Sequence, residues 1–294
     1  MTRKAILLMI GLDLIVALLS GCTVNPITGN EELMFFSPDK DVELGRKYAP
    51  QVEKALGGLV LEQGIQHYVN QIGQKVATVS HRPDLQYYFA ALEGGGANAL
   101  ALPGGWIYVT RGLLEELKTE AQLAAVLSHE VGHVVARDTL VAMSEQIGMT
   151  ALVVAAQTSG SPDAARGTRF VTAVLSLQYS RQDEMEADLA GLSYMSQAGY
   201  DPNGMVETMQ LLGKLQTMRP IEFFSTHPNP ESRISYLEDE IAEHYTPLGA
   251  LKQGREEYTQ NILAPLHERK KRFNLPAETA GEKQEPALTE KTGS

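Results

Sequence analysis

The sequence predicts an α+β fold that is mostly helical and contains one small antiparallel sheet. Three observations lead to this prediction. Apolar residues recur at helical spacing along 61–80, and residues 85–110 change to short extended segments separated by glycines. Two further helical patterns follow at 119–138 and 180–199. With 294 residues, of which 43% are hydrophobic, the chain can bury the core that such a fold needs.

The first 21 residues are typical of an export signal. A basic start precedes an apolar run that is too short, and too interrupted by Asp13, to predict a membrane-spanning helix. Residues 19–22, Leu-Ser-Gly-Cys, resemble the bacterial lipobox, in which the cysteine is lipidated and becomes the new N-terminus. This resemblance implies an anchor in the lipid bilayer at Cys22, and Thr23 after it favours the outer membrane facing the periplasm. An ordinary signal peptide that leaves an unmodified thiol is the alternative.

The charge balance argues against nucleic acid as a partner. The net charge is −11, and no cluster of Lys and Arg dominates the sequence, whereas a phosphate-binding surface needs such a cluster. Cys22 is the single cysteine, so an internal disulfide cannot form.

The predicted sheet lies just before the helix at 119–138. Residues 85–92 are rich in aromatic and apolar side chains, glycines at 94–96 end that run, and residues 99–110 form two extended segments around Pro103-Gly104-Gly105. A sheet edge at this place could bind an extended substrate as an added strand. A sheet that only supports the helix is the alternative, and the sequence does not decide between them.

A capping box begins the helix that carries the run His-Glu-Val-Gly-His. Thr119 followed by Gln122 predicts a start at Glu120, and the helical pattern continues to about Asp138. The run therefore lies in the middle of the helix.

Two histidines in this run can hold one metal ion. His129 and His133 are four residues apart, so they project from one face with room for an ion between their rings. Glu130 can reach a water molecule that the metal activates. Zinc binds imidazole readily, and a catalytic zinc has three protein ligands and one open position. A purely structural zinc is disfavoured because such sites are rich in cysteine.

The second helical pattern offers the third ligand. Ser180 is a candidate N-cap and Gly199 a candidate C-terminal stop. Between them, Glu184 and Asp188 are four residues apart on one face, a spacing that suits one carboxylate that binds the metal and one that orients a ligand histidine. Gly191 on the same face allows a close approach to the partner helix. An acidic, solvated helix face is the alternative.

Together, the runs HEVGH, SRQDEMEAD and STHPNPESR, with NALALPGGWIYVTRGLL, resemble the zinc metallopeptidases related to HtpX and the CAAX prenyl endopeptidases. The resemblance covers roughly residues 35–240 and implies a zincin-like metallopeptidase fold of the gluzincin type. In that family the Glu of the S-R-x-x-E motif is the third zinc ligand, which corresponds to Glu184. The exported lipoprotein form is similar to the periplasmic branch of this family, which includes the β-barrel assembly-enhancing protease, although the sequence shows none of that protease's 34-residue helical repeats.

The resemblance also gives a role to the histidine of the third run. It implies that His227 lies over the open side of the zinc, where it either donates to the oxyanion of the reaction or closes the site as a fourth ligand. A helix is expected to begin near Pro230, and Arg233 supports this loop or the oxyanion. A plain proline-rich turn is the alternative for residues 227–230.

The motif and the resemblance together predict a zinc-dependent endopeptidase. One zinc ion is held by His129, His133 and Glu184, and Glu130 is the general base. The resemblance implies unfolded or misassembled cell-envelope proteins as substrates. The alternative is a proteolytically latent, chaperone-like envelope protein whose zinc site is closed by His227.

Pattern and composition divide the chain into five segments. These are a lipoprotein signal peptide at 1–21, a tether at 22–37, the metallopeptidase domain at 38–245, a C-terminal helical extension at 246–275 and a disordered tail at 276–294.

Overall fold

The computed structural model describes four stretches of the chain, which are residues 22–144, 172–227, 230–245 and 251–273. The expected signal peptide at 1–21 and the expected tail at 276–294 lie outside these described residues.

Helices make up most of the described chain, as the sequence predicts. The α-helices are α1 (Pro38–Ala55), α2 (Gln63–Ala77), α3 (Arg111–Glu116), α4 (Glu120–Ala136), α5 (Arg181–Gln197), α6 (Asn203–Met218), α7 (Phe223–Thr226), α8 (Pro230–His244), α9 (Arg255–Tyr258) and α10 (Ala264–Phe273). The strands are β1 (Cys22–Val24), β2 (Glu31–Leu33), β3 (Tyr88–Leu92), β4 (Ala99–Leu102) and β5 (Trp106–Thr110). The predicted α+β class is confirmed.

The sheet beside α4 has three strands in the order β3-β5-β4. The predicted antiparallel pair around Pro103-Gly104-Gly105 is confirmed as β4 and β5. Gly104 and Gly105 have φ angles of 72° and 97°, which L side chains rarely adopt, so this turn requires glycine. Strand β3 pairs with β5 in parallel, so the sheet as a whole is mixed rather than purely antiparallel.

Helix α4 lies at the centre of the molecule. All of its residues are buried, and α2, α5, α6 and the sheet pack around it. A helix that is buried on every side needs such a surrounding layer. Among the helices of the described residues, none has both the length and the apolar character needed to cross a bilayer.

Both ends of α4 are fixed by neighbouring segments. The Thr119 hydroxyl accepts a hydrogen bond from Gln122 N, as predicted, whereas the Gln122 side chain accepts from Lys118 N and not from Thr119 N. The first helical N–H groups also find distant partners, because Glu120 N donates to Gly254 O and Ala121 N to Gln253 O. These partners belong to the segment just before α9.

At its other end α4 stops at Ala136, two residues before the predicted end, because Arg137 has a left-handed conformation with φ of 65°.

The segment at 22–37, expected to be a tether, contains the short antiparallel hairpin of β1 and β2. Hydrogen bonds to distant segments join it to the rest of the molecule. Asn25 Nδ2 donates to Glu186 Oε2 on α5 at 3.1 Å, and Phe35 N donates to Ser144 Oγ at 3.1 Å.

Candidate metal centre

Four buried side chains meet between α4, α5 and the turn after α7. One nitrogen or oxygen atom from each of them can be chosen so that all four atoms lie within 4.8 Å of one another. The four residues are His129, His133, Glu184 and His227. His129 Nε2 is 3.0 Å from His133 Nε2 and 3.3 Å from His227 Nδ1, and His227 Nδ1 is 2.7 Å from Glu184 Oε1.

The close approach of α4 and α5 brings Glu184 to the histidines. A Cβ added to Gly191 would lie 3.0 Å from His129 N, and a Cβ added to Gly132 would lie 2.9 Å from Ala187 Cα. Two glycines facing the opposite helix therefore let the two backbones pack almost directly together. The expected close approach at Gly191 is present. Ser180 caps α5 through a reciprocal capping box with Asp183, which fixes the turn that carries Glu184.

Asp188 orients His129. Its Oδ1 atom is 2.8 Å from His129 Nδ1 and accepts a hydrogen bond from Nδ1–H. This leaves His129 Nε2 free to bind a metal. Arg233 donates to both oxygens of Asp188 at 2.7 and 2.6 Å, and also to Glu184 Oε2. Burial alone raises the pKa of Asp188, but the Arg233 guanidinium and the bond with His129 outweigh burial and hold the pKa well below its usual range. Arg233 thus lies against the two carboxylates of α5.

A second carboxylate orients the other histidine. Asp138 Oδ2 lies 2.6 Å from His133 Nδ1. Asp138 was not singled out in the sequence, because it lies five residues after His133 and falls off the helical face that His133 occupies. The left-handed turn at Arg137 brings it back. The only available signal was an acidic residue directly after the end of α4.

Two aromatic rings flank the histidines. Tyr179 stacks on His133 with ring centroids 4.0 Å apart, and Phe223 stacks on His227 with centroids 4.4 Å apart. The Tyr179 hydroxyl contacts Thr139 Oγ1 at 3.1 Å. Neither ring was singled out in the sequence, because an isolated aromatic residue outside a motif gives no pattern.

Glu130 lies next to the cluster without joining it. Both of its carboxylate oxygens are buried, and neither has a hydrogen-bond partner among the described residues. His227 Nε2 lies 3.5 Å from Glu130 Oε1, at ion-pair distance. Burial raises the pKa of Glu130, and its buried, unpaired oxygens indicate that a polar group belongs beside them.

The set of ligand atoms suits zinc. Three imidazole nitrogens and one carboxylate oxygen are ligands that zinc accepts, and two of the imidazoles are oriented by carboxylates, as is usual for metal-binding histidines. The Glu130 carboxylate beside them, which accepts no hydrogen bond from the described residues, also fits a metal site that binds a polar reactant. The site can bind one metal ion and is consistent with zinc.

The structure thus brings together six of the residues singled out in the sequence, namely His129, Glu130, His133, Glu184, Asp188 and His227, with Arg233 behind the two carboxylates. Cys22 is the first residue of β1 and is not among the candidate ligands. Helix α8 begins at Pro230, as predicted.

Comparisons with known proteins identify metallopeptidases as relatives of this chain. The chain is 33% identical over 178 residues to the mitochondrial metalloendopeptidase OMA1 of Schizosaccharomyces pombe, covering 60% of this chain and 53% of OMA1. It is 26% identical over 266 residues to the β-barrel assembly-enhancing protease of Escherichia coli, covering 81% and 54%. Metalloprotease LoiP of Escherichia coli is 29% identical over 149 residues, covering 49% and 59%.

The chain spans about half the length of the first two of these curated relatives. The model of peptidase family M48 matches residues 65–241, which is more than half of the chain and contains the metal cluster described above. By this match, the chain belongs to peptidase family M48.

Proposed function

We propose that this protein is a zinc-dependent endopeptidase in which Glu130 is the general base. The observation that carries the proposal is that both carboxylate oxygens of Glu130 are buried without a hydrogen bond, beside four candidate metal ligands. A buried carboxylate without a partner is costly, so a structure retains one where a reaction needs it.

The ligands and Glu130 divide the chemistry between them. His129, His133 and Glu184 hold the metal, which when bound supplies a Lewis acid that polarises the scissile carbonyl and activates a water molecule. Glu130 takes the proton of the attacking water on its carboxylate and passes it to the amine that leaves. Burial raises the pKa of Glu130, which brings it closer to the range that suits a general base.

His227 distinguishes the proposed peptidase from its alternative. Its Nδ1 atom lies 3.3 Å from His129 Nε2 and 2.7 Å from Glu184 Oε1, inside the ligand cluster. In this conformation, the position of His227 favours the role of a fourth ligand that closes the site. It is less suited to the role of a donor to the oxyanion. A proteolytically latent, chaperone-like protein closed by His227 is therefore the second candidate.

The names of the relatives support a proposal for the substrates and the location of this protein. Two of the relatives are a β-barrel assembly-enhancing protease and a metalloprotease, both of Escherichia coli. On this basis we propose that the substrates are unfolded or misassembled envelope proteins. We further propose a lipid anchor on Cys22 that holds the enzyme at the outer membrane, facing the periplasm, where it would serve protein quality control.

The first experiment compares the purified full chain with Glu130→Gln, using unfolded casein as substrate and measuring bound zinc in each. We expect Glu130→Gln to keep its zinc and to lose cleavage by about 100- to 10,000-fold, because a general base contributes a factor of that size. Glu238→Gln on the exposed face of α8 is the matched control and should cleave like the wild type. Cleavage by Glu130→Gln at the wild-type rate would exclude Glu130 as the base.

A second variant separates the two candidates. If His227 closes the site, His227→Ala should cleave faster than the wild type, because a ligand position becomes free. If His227 donates to the oxyanion, the same variant should lose about 100- to 1,000-fold in kcat. A wild type that binds zinc and unfolded protein without cutting, together with a cleaving His227→Ala, would identify the latent form.

A further inference from the structure

The end of α4 has a backbone conformation that needs an explanation. Among the described residues, Arg137 is the one residue other than glycine with a positive φ, at 65°. L side chains rarely adopt this conformation, and where they do, surrounding contacts have to hold it.

This conformation sets the position of Asp138. In a continuous helix, a residue five positions after His133 would point about 140° away from it. The left-handed turn reverses the chain, and Asp138 Oδ2 comes to lie 2.6 Å from His133 Nδ1. The bond fixes the ring so that Nε2 faces the other candidate ligands, 3.0 Å from His129 Nε2.

The contacts that hold Arg137 come from the N-terminal part of the chain. Arg137 Nη2 donates to Phe36 O at 3.0 Å, and Arg137 Nε lies 3.3 Å from Asp41 Oδ2. Asp41 is almost fully buried on α1 and also pairs with Arg82 at 3.2 Å. Arg82 Nη1 in turn donates to Val134 O in the last turn of α4.

These contacts form a continuous chain from α1 to the metal site. Asp41 is its central charge, because it lies against two guanidinium groups that both bind near the end of α4. Two cations at a helix C-terminus are also favoured by the helix dipole. A shift of residues 36–41 would therefore act on the turn at Arg137.

We propose that Asp138 is the positioning residue of His133 and that residues 36–41 hold Asp138 in place through Arg137. The N-terminal segment thereby sets the affinity of the site for its metal. The proposal deepens the proposed function, since it rests on the same metal site. It assigns no proton transfer and no substrate contact to Asp138 or Arg137.

The test measures the affinity of the purified full chain for Zn²⁺ by competition with a chromophoric chelator. Asp138→Ala should lower the affinity about 10- to 100-fold, the usual effect of losing the partner of a ligand histidine. Asp41→Asn should lower it in the same direction by up to about tenfold. Asp39→Asn, an exposed carboxylate on the same helix, is the matched control and should bind Zn²⁺ like the wild type.

A double variant shows whether Asp41 acts through Asp138. If it does, Asp41→Asn combined with Asp138→Ala should bind Zn²⁺ as Asp138→Ala does alone, since the link is already broken. If the two substitutions act independently, through purely structural effects, the double variant should instead show the product of the two single losses of Zn²⁺ affinity. Asp138→Asn, which keeps the size of the side chain, covers the case in which Asp138→Ala does not fold, and Co²⁺ absorption reports whether its ligand geometry changes.

Wild-type affinity in both Asp138→Ala and Asp138→Asn, or multiplied losses in the double variant, would overturn the proposal even if the wild type cleaves casein. Conversely, the affinity changes can appear in a protein that does not cleave, so the two proposals can fail separately. Absence of zinc binding by the wild type would overturn both.

Discussion

The two histidines of α4 are oriented by carboxylates that are held in different ways. On the His129 side, Asp188 receives two hydrogen bonds from Arg233 and a third from the Tyr236 hydroxyl. On the His133 side, Asp138 reaches its histidine through the left-handed turn at Arg137. One carboxylate is held by side-chain charge and the other by backbone geometry.

The pKa values of the two carboxylates differ accordingly. Burial raises the pKa of both groups. For Asp188, the adjacent guanidinium outweighs burial and keeps the group ionised, whereas burial raises the pKa of Asp138 to about 7 despite its bond with His133. The carboxylate on the His129 side is therefore held ionised by an adjacent cation, whereas the carboxylate on the His133 side depends on the position of one backbone turn.

The largest expected effect comes from breaking the charged side. Arg233→Met should lower the free energy of unfolding by about 3–5 kcal/mol, because Glu184 and Asp188 would remain buried without their cation. Chemical denaturation of the metal-free chain measures this loss. The control is Arg219→Met, which removes a partly exposed pair with Glu116 and should cost less than about 1 kcal/mol. Equal losses in the two variants would mean that burial does not distinguish these pairs.

A smaller effect is expected where α5 presses against His129. A Cβ added to Gly191 would lie 3.0 Å from His129 N, so Gly191→Ala should cost about 1–3 kcal/mol of stability and weaken Zn²⁺ binding as the helices separate. Gly64→Ala in α2 is the control, because no atom lies within 4 Å of its added Cβ, and a gain of up to about 1 kcal/mol is expected. Thermal denaturation and chelator competition on both variants check this. A Gly191→Ala protein as stable as the wild type would show that the helices can separate at little cost.

The smallest expected effect concerns the start of α5, where Ser180 accepts a hydrogen bond from Asp183 N. Ser180→Ala should cost about 1 kcal/mol, since a cap of this type contributes about that much. Ser196→Ala near the other end of the same helix should stay within about 0.5 kcal/mol of the wild type, because its hydroxyl only donates to Leu192 O. Urea denaturation can resolve the pair. If both variants lost the same amount, the capping box would have no particular role.

The same contrast explains what could be predicted from the sequence. His129 with His133, and Glu184 with Asp188, share the four-residue spacing of a helix face, so helical geometry alone places each pair. Ser180 and the turn around Gly104 carry local signals that need no knowledge of the fold.

The rest depends on contacts between distant segments. Asp138 lies beyond a left-handed turn whose conformation is held by Phe36 and Asp41, about a hundred residues earlier. Nothing in the spacing of residues 133–138 reveals that support. Likewise, the parallel pairing of β3 with β5 follows from the order of strands in the sheet, which local patterns do not determine.

The first turn of α4 has a consequence for the biosynthesis of the protein. The N–H groups of Glu120 and Ala121 donate to carbonyls of residues 254 and 253, which are translated more than 130 residues later. At about 5–20 residues per second, a ribosome needs roughly 7–27 s to cover that distance. The first two N–H groups of the helix that carries both histidines therefore have no carbonyl of 253–254 to bond while that helix emerges, and a ribosome that stalls before residue 253 holds a nascent chain in which these two donors are left to water.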